Sequence, residues 1–209
     1  MKKSKAILMA LCAVLLVAAS VMGTLAYLTS TDTVTNTFTV GKVEITLDEA
    51  DVNADGTPVQ GADRVDANEY HLLPGHTYAK DPIVHVDADS EDCYLFVKVV
   101  NEIAAIEEKG TTEAPATTTV AAQMAAKGWK AVDGQTGVYV YTNKTENPVA
   151  VEGGANVTVF EKFVIDDNVN NTTLAGYNNK TITVTAYAVQ ADGFETKTAA
   201  QIWGDAGFT

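Results

Sequence analysis

The amino-acid sequence predicts a mainly β protein, an antiparallel β-sandwich of the jelly-roll type with one or two short helices. About seven or eight short segments alternate apolar and polar side chains with the period of two that is typical of strands. Turn residues such as Pro-Gly and Asp-Gly separate these segments. Only two segments have helical spacing, so regular crossover helices do not separate the strands, as they would in a parallel sheet.

The first 26 residues predict an export signal. Three lysines near the N-terminus precede an uncharged stretch over 6–23, and the small residue Ala26 stands at a candidate cleavage position. We therefore expect a signal peptide over residues 1–26, cleaved between Ala26 and Tyr27. An uncleaved membrane anchor is the alternative, because the apolar stretch is near the lower length limit of a membrane span. We expect membrane contact only through this segment, before cleavage.

The mature N-terminal segment, residues 27–41, carries the main functional hypothesis. Threonines occupy the odd positions over 29–39 and apolar residues fall on even positions, which is the alternation of a strand. After Gly41 the apolar residues change to odd positions, so one continuous strand would not bury both apolar sets on one face. Gly41 is therefore predicted to be a hinge or a bulge. The apolar side chains of the first set are Leu28, Val34, Phe38 and Val40.

Residues 42–209 are predicted to form a single β-sandwich domain with loop insertions at 48–69 and 101–137. Segment 93–100 has bulky side chains on both faces and is predicted to be a central strand. In the strand predicted over 157–165, the adjacent Phe160 and Glu161 break the alternation and indicate a bulge. The other predicted strands are 43–47, short segments joined by the Pro74-Gly75 turn, 83–86, 138–142 and 181–189, and the predicted helices are 120–127 and 199–203.

The net charge of the chain indicates which classes of partner it is not expected to bind and where the protein is located. The chain has 27 acidic and 14 basic residues, and removal of the three N-terminal lysines changes its formal net charge from −13 to about −16. Such an acidic chain is not expected to bind nucleic acid or anionic lipid. A secreted protein, extracellular or associated with the cell surface, fits this composition better.

Cysteine usage leaves one thiol in the mature chain. Of the two cysteines, Cys12 lies in the signal segment, so no intrachain disulfide is expected. We predict that Cys93 is a small buried residue at the start of a strand.

One loop resembles the first half of a calcium-binding loop motif. Asp51, Asn53 and Asp55 stand at alternate positions before Gly56, as in calcium-binding loops. Ala62, however, occupies the place where such loops carry a bidentate glutamate. A solvated turn is the preferred interpretation, with calcium as the alternative, and no other cofactor is expected.

The sequence carries no recognisable catalytic motif. The three histidines, at 71, 76 and 85, lack the His-Glu-x-x-His spacing that places two imidazoles and a general base on one helix face. A glycine-rich phosphate loop and a Gly-x-Ser-x-Gly elbow are also absent from the sequence. We therefore do not expect an enzyme.

Three segments, 23–45, 73–98 and 182–194, resemble the TasA, CalY and camelysin family. The first contains Gly-Thr-Leu-Ala-Tyr-Leu-Thr followed by Asn-Thr-Phe-Thr-Val-Gly-Lys-Val-Glu-Ile, the second a Pro-Gly turn and a core strand, and the third a long strand with a Gly-aromatic turn. The resemblance implies export from a Gram-positive bacterium and processing by a signal peptidase of the SipW type. It also implies a jelly-roll subunit of a biofilm matrix, in which each subunit donates its N-terminal strand to the next.

The change of phase at Gly41 supports the same hypothesis independently, because the strand after it does not share the apolar face of 27–40. The alternatives are that 27–40 pairs with its own sheet or stays disordered. Two other functions also remain open. Camelysins are described as surface metalloproteases, although no zinc-protease motif is present here, and a monomeric surface adhesin would have the same composition.

Overall fold

The computed structural model describes residues 2–26, 41–110 and 117–208. The chain divides into two compact units, Met1–Val40 and Gly41–Thr209. The described part of the first unit is helix α1, Lys2–Ala26. Among the described residues, no helix has the length and apolar character required to cross a membrane. Tyr27 lies outside the described residues. So does the candidate donor strand, with its apolar side chains Leu28, Val34, Phe38 and Val40.

The second unit contains short strands and three short α-helices within its described residues. The strands are β1 Ile45–Asp48, β2 Thr77–Ala79, β3 Ile83–Val86, β4 Cys93–Asn101, β5 Trp129–Ala131, β6 Val138–Tyr141, β7 Asn156–Thr158, β8 Lys162–Val164 and β9 Ile182–Gln190. The helices are α2 Val120–Lys127, α3 Asn171–Ala175 and α4 Ala199–Asp205, with a 3₁₀ turn at Ala104–Ile106.

The strands form three antiparallel sheets, ordered β1-β3-β7, β2-β8 and β5-β6-β4-β9. Side chains from all three sheets meet in one main core, among them Val84 of β3, Leu95 and Val97 of β4, and Phe163 of β8. This arrangement confirms the predicted mainly β, antiparallel sandwich with few short helices. Burial of the apolar face of each sheet against another sheet is the main source of its stability.

Strand β4 is buried on both faces, as its sequence predicts. Leu95 and Val97 enter the main core. Tyr94 and Phe96 point to the opposite face and enter a second core. Helix α4 covers that second core with Ile202 and Trp203, and Thr198 begins the helix with a capping box.

The prediction of one bulged strand over 157–165 is wrong. The segment forms two strands that pair with different partners, β7 with β3 and β8 with β2. Between them Phe160 is fully buried, so the chain turns inward at a corner. Backbone hydrogen bonds from Val159 N to Pro82 O (2.8 Å) and from Lys80 N to Glu161 O (3.1 Å) continue the pairing past the corner.

The expected strand before the Pro74-Gly75 turn does not form. Instead, the hydroxyl of Tyr78 donates to the carbonyl of His71 (2.7 Å) and accepts from the amide of Leu73 (2.6 Å). One buried side chain thus takes the place of a backbone partner for this segment. Two further elements were not predicted, namely β5, which lies within the expected loop insertion at 101–137, and α3.

Candidate functional site

Strand β1 lies at one edge of its sheet and presents backbone groups to the outside. The amide of Asp87 donates to the carbonyl of Glu44 (2.9 Å) across the β1–β3 pair. Because inward and outward backbone groups alternate along a strand, the amides and carbonyls of Ile45 and Leu47 point away from β3. No described strand pairs with this edge. Beyond β1, Glu49 pairs with Val65 and closes the edge at that end.

Strand β9 forms a second edge of the same kind. At its two ends, the amide of Glu102 donates to the carbonyl of Thr181 (3.0 Å) and the amide of Ala191 donates to the carbonyl of Asp92 (2.7 Å). The same alternation turns the backbone groups of the even-numbered residues away from β4. These residues also direct their side chains to the main core, and they are Ile182, Val184, Ala186 and Ala188.

Strands β1 and β9 lie beside each other without being paired, and a groove opens where β1 ends and β9 begins. The groove has a volume of about 1130 Å³. Small-molecule sites are usually about 300–1,000 Å³, so this groove is somewhat larger than the usual small-molecule site. We call it the apolar groove after its half-buried lining residues, which include Leu47, Tyr70, Leu72, Leu174, Ile182 and Val184.

The floor of the apolar groove holds three polar side chains, which we call the Glu49–Asn68–Lys80 cluster. The carboxylate of Glu49 accepts from the ammonium of Lys80 and from the amide nitrogen of Asn68 (2.9 Å). The side chain of Glu49 is 5% exposed and that of Lys80 is 11% exposed. Burial, followed by the charges of Glu49 and Asp81, raises the pKa of the neighbouring Tyr70.

A second polar group lies next to this floor. The guanidinium of Arg64 contacts both Asp48 and Asp81. Partial burial alone would raise the pKa of Asp48, but hydrogen bonds from Arg64 and His85 outweigh it and lower that pKa. These pairs fix the strand ends around the groove and are partly exposed, so each contributes little to stability on its own.

The calcium candidates form a hydrogen-bonded turn. The side-chain Nδ2 of Asn53 donates to the hydroxyl of Thr57 (3.0 Å), and the carboxylate of Asp55 accepts from the same hydroxyl (2.6 Å). The hydrogen bonds from the hydroxyl and from the backbone amide of Thr57 lower the pKa of Asp55. Asp51 lies before the turn, and its backbone carbonyl accepts from the amide of Val59 (2.9 Å). Over the described ranges, no group of three His, Cys, Asp or Glu side chains is placed to hold a metal ion.

Buried or half-buried positions hold Cys93, His76 and His85. Cys93 is fully buried at the start of β4, as predicted, and burial raises its pKa to about 11. The imidazoles of His76 and His85 bond to the carbonyl of Asp55 (2.8 Å) and to the carboxylate of Asp48 (2.9 Å). Gly41 begins the second unit, and a Cβ at this position would lie 2.8 Å from Cγ of Glu91.

Sequence reasoning missed the two open edges and the Glu49–Asn68–Lys80 cluster. Pairing partners lie far apart in the chain, so an unpaired edge leaves no local signal. For the cluster, the sequence shows only one glutamate and one lysine, Glu49 and Lys80, each directly after a strand. Comparisons of this chain with protein-family models, curated proteins and solved structures give no match.

Proposed function

We propose that this protein is a secreted structural subunit of an extracellular fibre or biofilm matrix. After cleavage of the signal peptide, residues 27–40 of one subunit add as a strand to the open edges of the next subunit. The observation that carries this proposal is the apolar groove that opens where β1 ends and β9 begins, because no described strand pairs with the outer edge of either strand. An edge with unpaired amides and carbonyls is a template for another strand unless it is covered.

The chemistry of the donor matches that of the acceptor. The odd positions over 29–39 are threonines, and the even positions over 28–40 carry four apolar residues together with Ser30, Asp32 and Asn36. A strand of this sequence therefore presents its large apolar side chains on one face and a row of hydroxyls on the other. The apolar face fits the half-buried side chains of the groove, such as Leu47, Ile182 and Val184. About ten backbone hydrogen bonds at roughly 1 kcal/mol each, plus about 1.5–3 kcal/mol for each large apolar side chain, offset the ordering of the strand.

Electron microscopy of the mature protein tests this proposal. We expect fibres from the mature chain and none from a variant lacking residues 27–40. A matched pair of point variants separates the two faces of the donor. Phe38→Asp places a charge on the apolar face and should abolish fibres, whereas Thr37→Asp places the same charge on the hydroxyl face and should leave them.

A mixing experiment tests the acceptor side. The variant without residues 27–40 keeps both open edges, so it should bind the end of a growing fibre and shorten fibres in proportion to its concentration. A mature chain that stays monomeric while 27–40 is protected from proteolysis would show that the segment completes its own sheet, and it would refute the proposal. Chelator-sensitive cleavage of casein by the monomer would favour the metalloprotease alternative.

A further inference from the structure

One carboxylate at the floor of the apolar groove contacts both an amine and a carboxamide. Oε2 of Glu49 accepts from Nζ of Lys80, and Oε1 accepts from Nδ2 of Asn68 at 2.9 Å. A nucleophile, an electrophile and an acid–base group for amide exchange therefore meet in one place. We propose that Lys80 and Asn68 join in an intramolecular isopeptide bond, with Glu49 relaying the protons.

Hydrogen bonds hold the carboxamide of Asn68 in one orientation. Its Nδ2 donates to two oxygens, that of Glu49 and the carbonyl of Ala50 (2.8 Å). Its Oδ1 accepts from the amide of Val52 (3.0 Å). The flipped orientation would place Oδ1 against the oxygens of Glu49 and Ala50, and it would place Nδ2 against the backbone N–H of Val52. The Val52 amide also stabilises the negative charge that develops on Oδ1 when the carbonyl carbon is attacked.

Burial of Glu49 and Lys80 favours the first proton transfer. The side chains of Glu49 and Lys80 are 5% and 11% exposed. In a site that is poor in water, the ammonium–carboxylate pair loses much of its solvation, so proton transfer to the carboxylate becomes easier. The aromatic rings of Tyr70 and Phe163, 5.1 Å apart, form part of the surrounding apolar wall.

The step balances without an oxidant or a reductant. Glu49 takes a proton from the Lys80 ammonium, and the free amine forms a bond to Cγ of Asn68. The bond between Cγ and Nδ2 then breaks. Glu49 relays two protons in total from Nζ to Nδ2, so the nitrogen of Asn68 leaves as ammonium and Glu49 returns to its carboxylate form. The product is a secondary amide between the two side chains.

A tryptic digest of the denatured protein reads the bond directly. Trypsin cleaves after Arg64, Lys80 and Lys98, and no other lysine or arginine lies between them. An unmodified chain therefore yields peptides 65–80 and 81–98. With the isopeptide bond, cleavage after Lys80 is blocked, and we expect a single peptide 65–98 lighter by one ammonia, with fragment ions that join positions 68 and 80.

Glu49→Gln is a matched control. Position 49 lies outside peptide 65–98, and the glutamine side chain has nearly the same size as the glutamate side chain that it replaces. This variant should release the two separate peptides. A wild-type digest that yields separate peptides, including a 65–80 peptide deamidated at Asn68, would overturn the proposal whether or not the variant folds. A cross-link that persists in Glu49→Gln would overturn the role of the carboxylate. The digest does not depend on fibre formation, so it is independent of the proposed function.

Discussion

The hydroxyl of Tyr78 holds one wall of the apolar groove, and its removal gives a quantitative test of the structure. Tyr78 is fully buried, and its hydroxyl bonds to the carbonyl of His71 (2.7 Å) and to the amide of Leu73 (2.6 Å). Tyr78→Phe keeps the ring, which stacks on Phe163 at 4.8 Å, and removes both hydrogen bonds. At about 0.5–1.5 kcal/mol for each bond, we expect a loss of about 1–3 kcal/mol in the free energy of unfolding.

Urea unfolding measures this loss, and Tyr70→Phe is the matched control. The Tyr70 hydroxyl makes one hydrogen bond, to the carbonyl of Ala79 (3.0 Å), so its removal should cost about half as much. The denaturant slope should not change in either variant, because the surface exposed on unfolding stays the same. Hydrogen exchange at the Leu73 amide should accelerate only in Tyr78→Phe. A Tyr78→Phe protein within about 0.5 kcal/mol of wild type, with Leu73 still protected, would refute this account.

Three further expectations concern other parts of the fold. Gly56→Ala should destabilise the protein far more than Gly61→Ala, because both residues have positive φ (77° and 75°) but only at position 56 does a new Cβ meet Tyr78, at 2.7 Å. The left-handed backbone alone costs about 1–2 kcal/mol, which is the loss expected at Gly61 in thermal unfolding. Burial raises the pKa of Glu107, so the free energy of unfolding should fall as pH rises from its ordinary pKa through the raised one, and Glu107→Gln should lack this fall. Thr198→Ala removes the cap of α4 and should cost about 1 kcal/mol in urea unfolding.

Each of these three expectations has a result that would contradict it. Equal losses for the two glycine variants would mean that the approach to Tyr78 is not tight. An identical pH profile for wild type and Glu107→Gln would show that the carboxyl is not buried on folding. For the helix cap, Thr198→Ser serves as control, because serine keeps the hydroxyl; a loss equal to that of alanine would show that the hydrogen bond contributes nothing.

Local sequence patterns predicted those strands and helices whose own residues indicate what surrounds them. Strand β4 shows this best, because bulky residues on both of its faces require two apolar surroundings, and the structure provides two. Helix α2 was predicted at its observed bounds from Thr119 before it and Gly128 after it, and both act as caps. Asn170 caps α3 in the same way, so that helix had a signal that sequence reasoning did not use.

Features that depend on distant partners were not predictable in this way. The corner at Phe160 looked like a bulge, since the sequence does not show that β7 and β8 have different partners. The Glu49–Asn68–Lys80 cluster brings together residues from a strand end, a long loop and a second strand end. Asn68 in particular lies in a polar stretch without periodicity, where nothing in the sequence distinguishes it from its neighbours.

The position of β4 between two cores also determines how the second unit melts. The chain has two tryptophans, and each core holds one: Trp129 lies in the main core and Trp203 in the second. Because the same strand lines both cores, we expect them to unfold together. In each variant that keeps one tryptophan and has phenylalanine in place of the other, indole fluorescence and far-ultraviolet circular dichroism should therefore give the same midpoint. Two separated midpoints would mean that α4 and its neighbours detach as an independent layer.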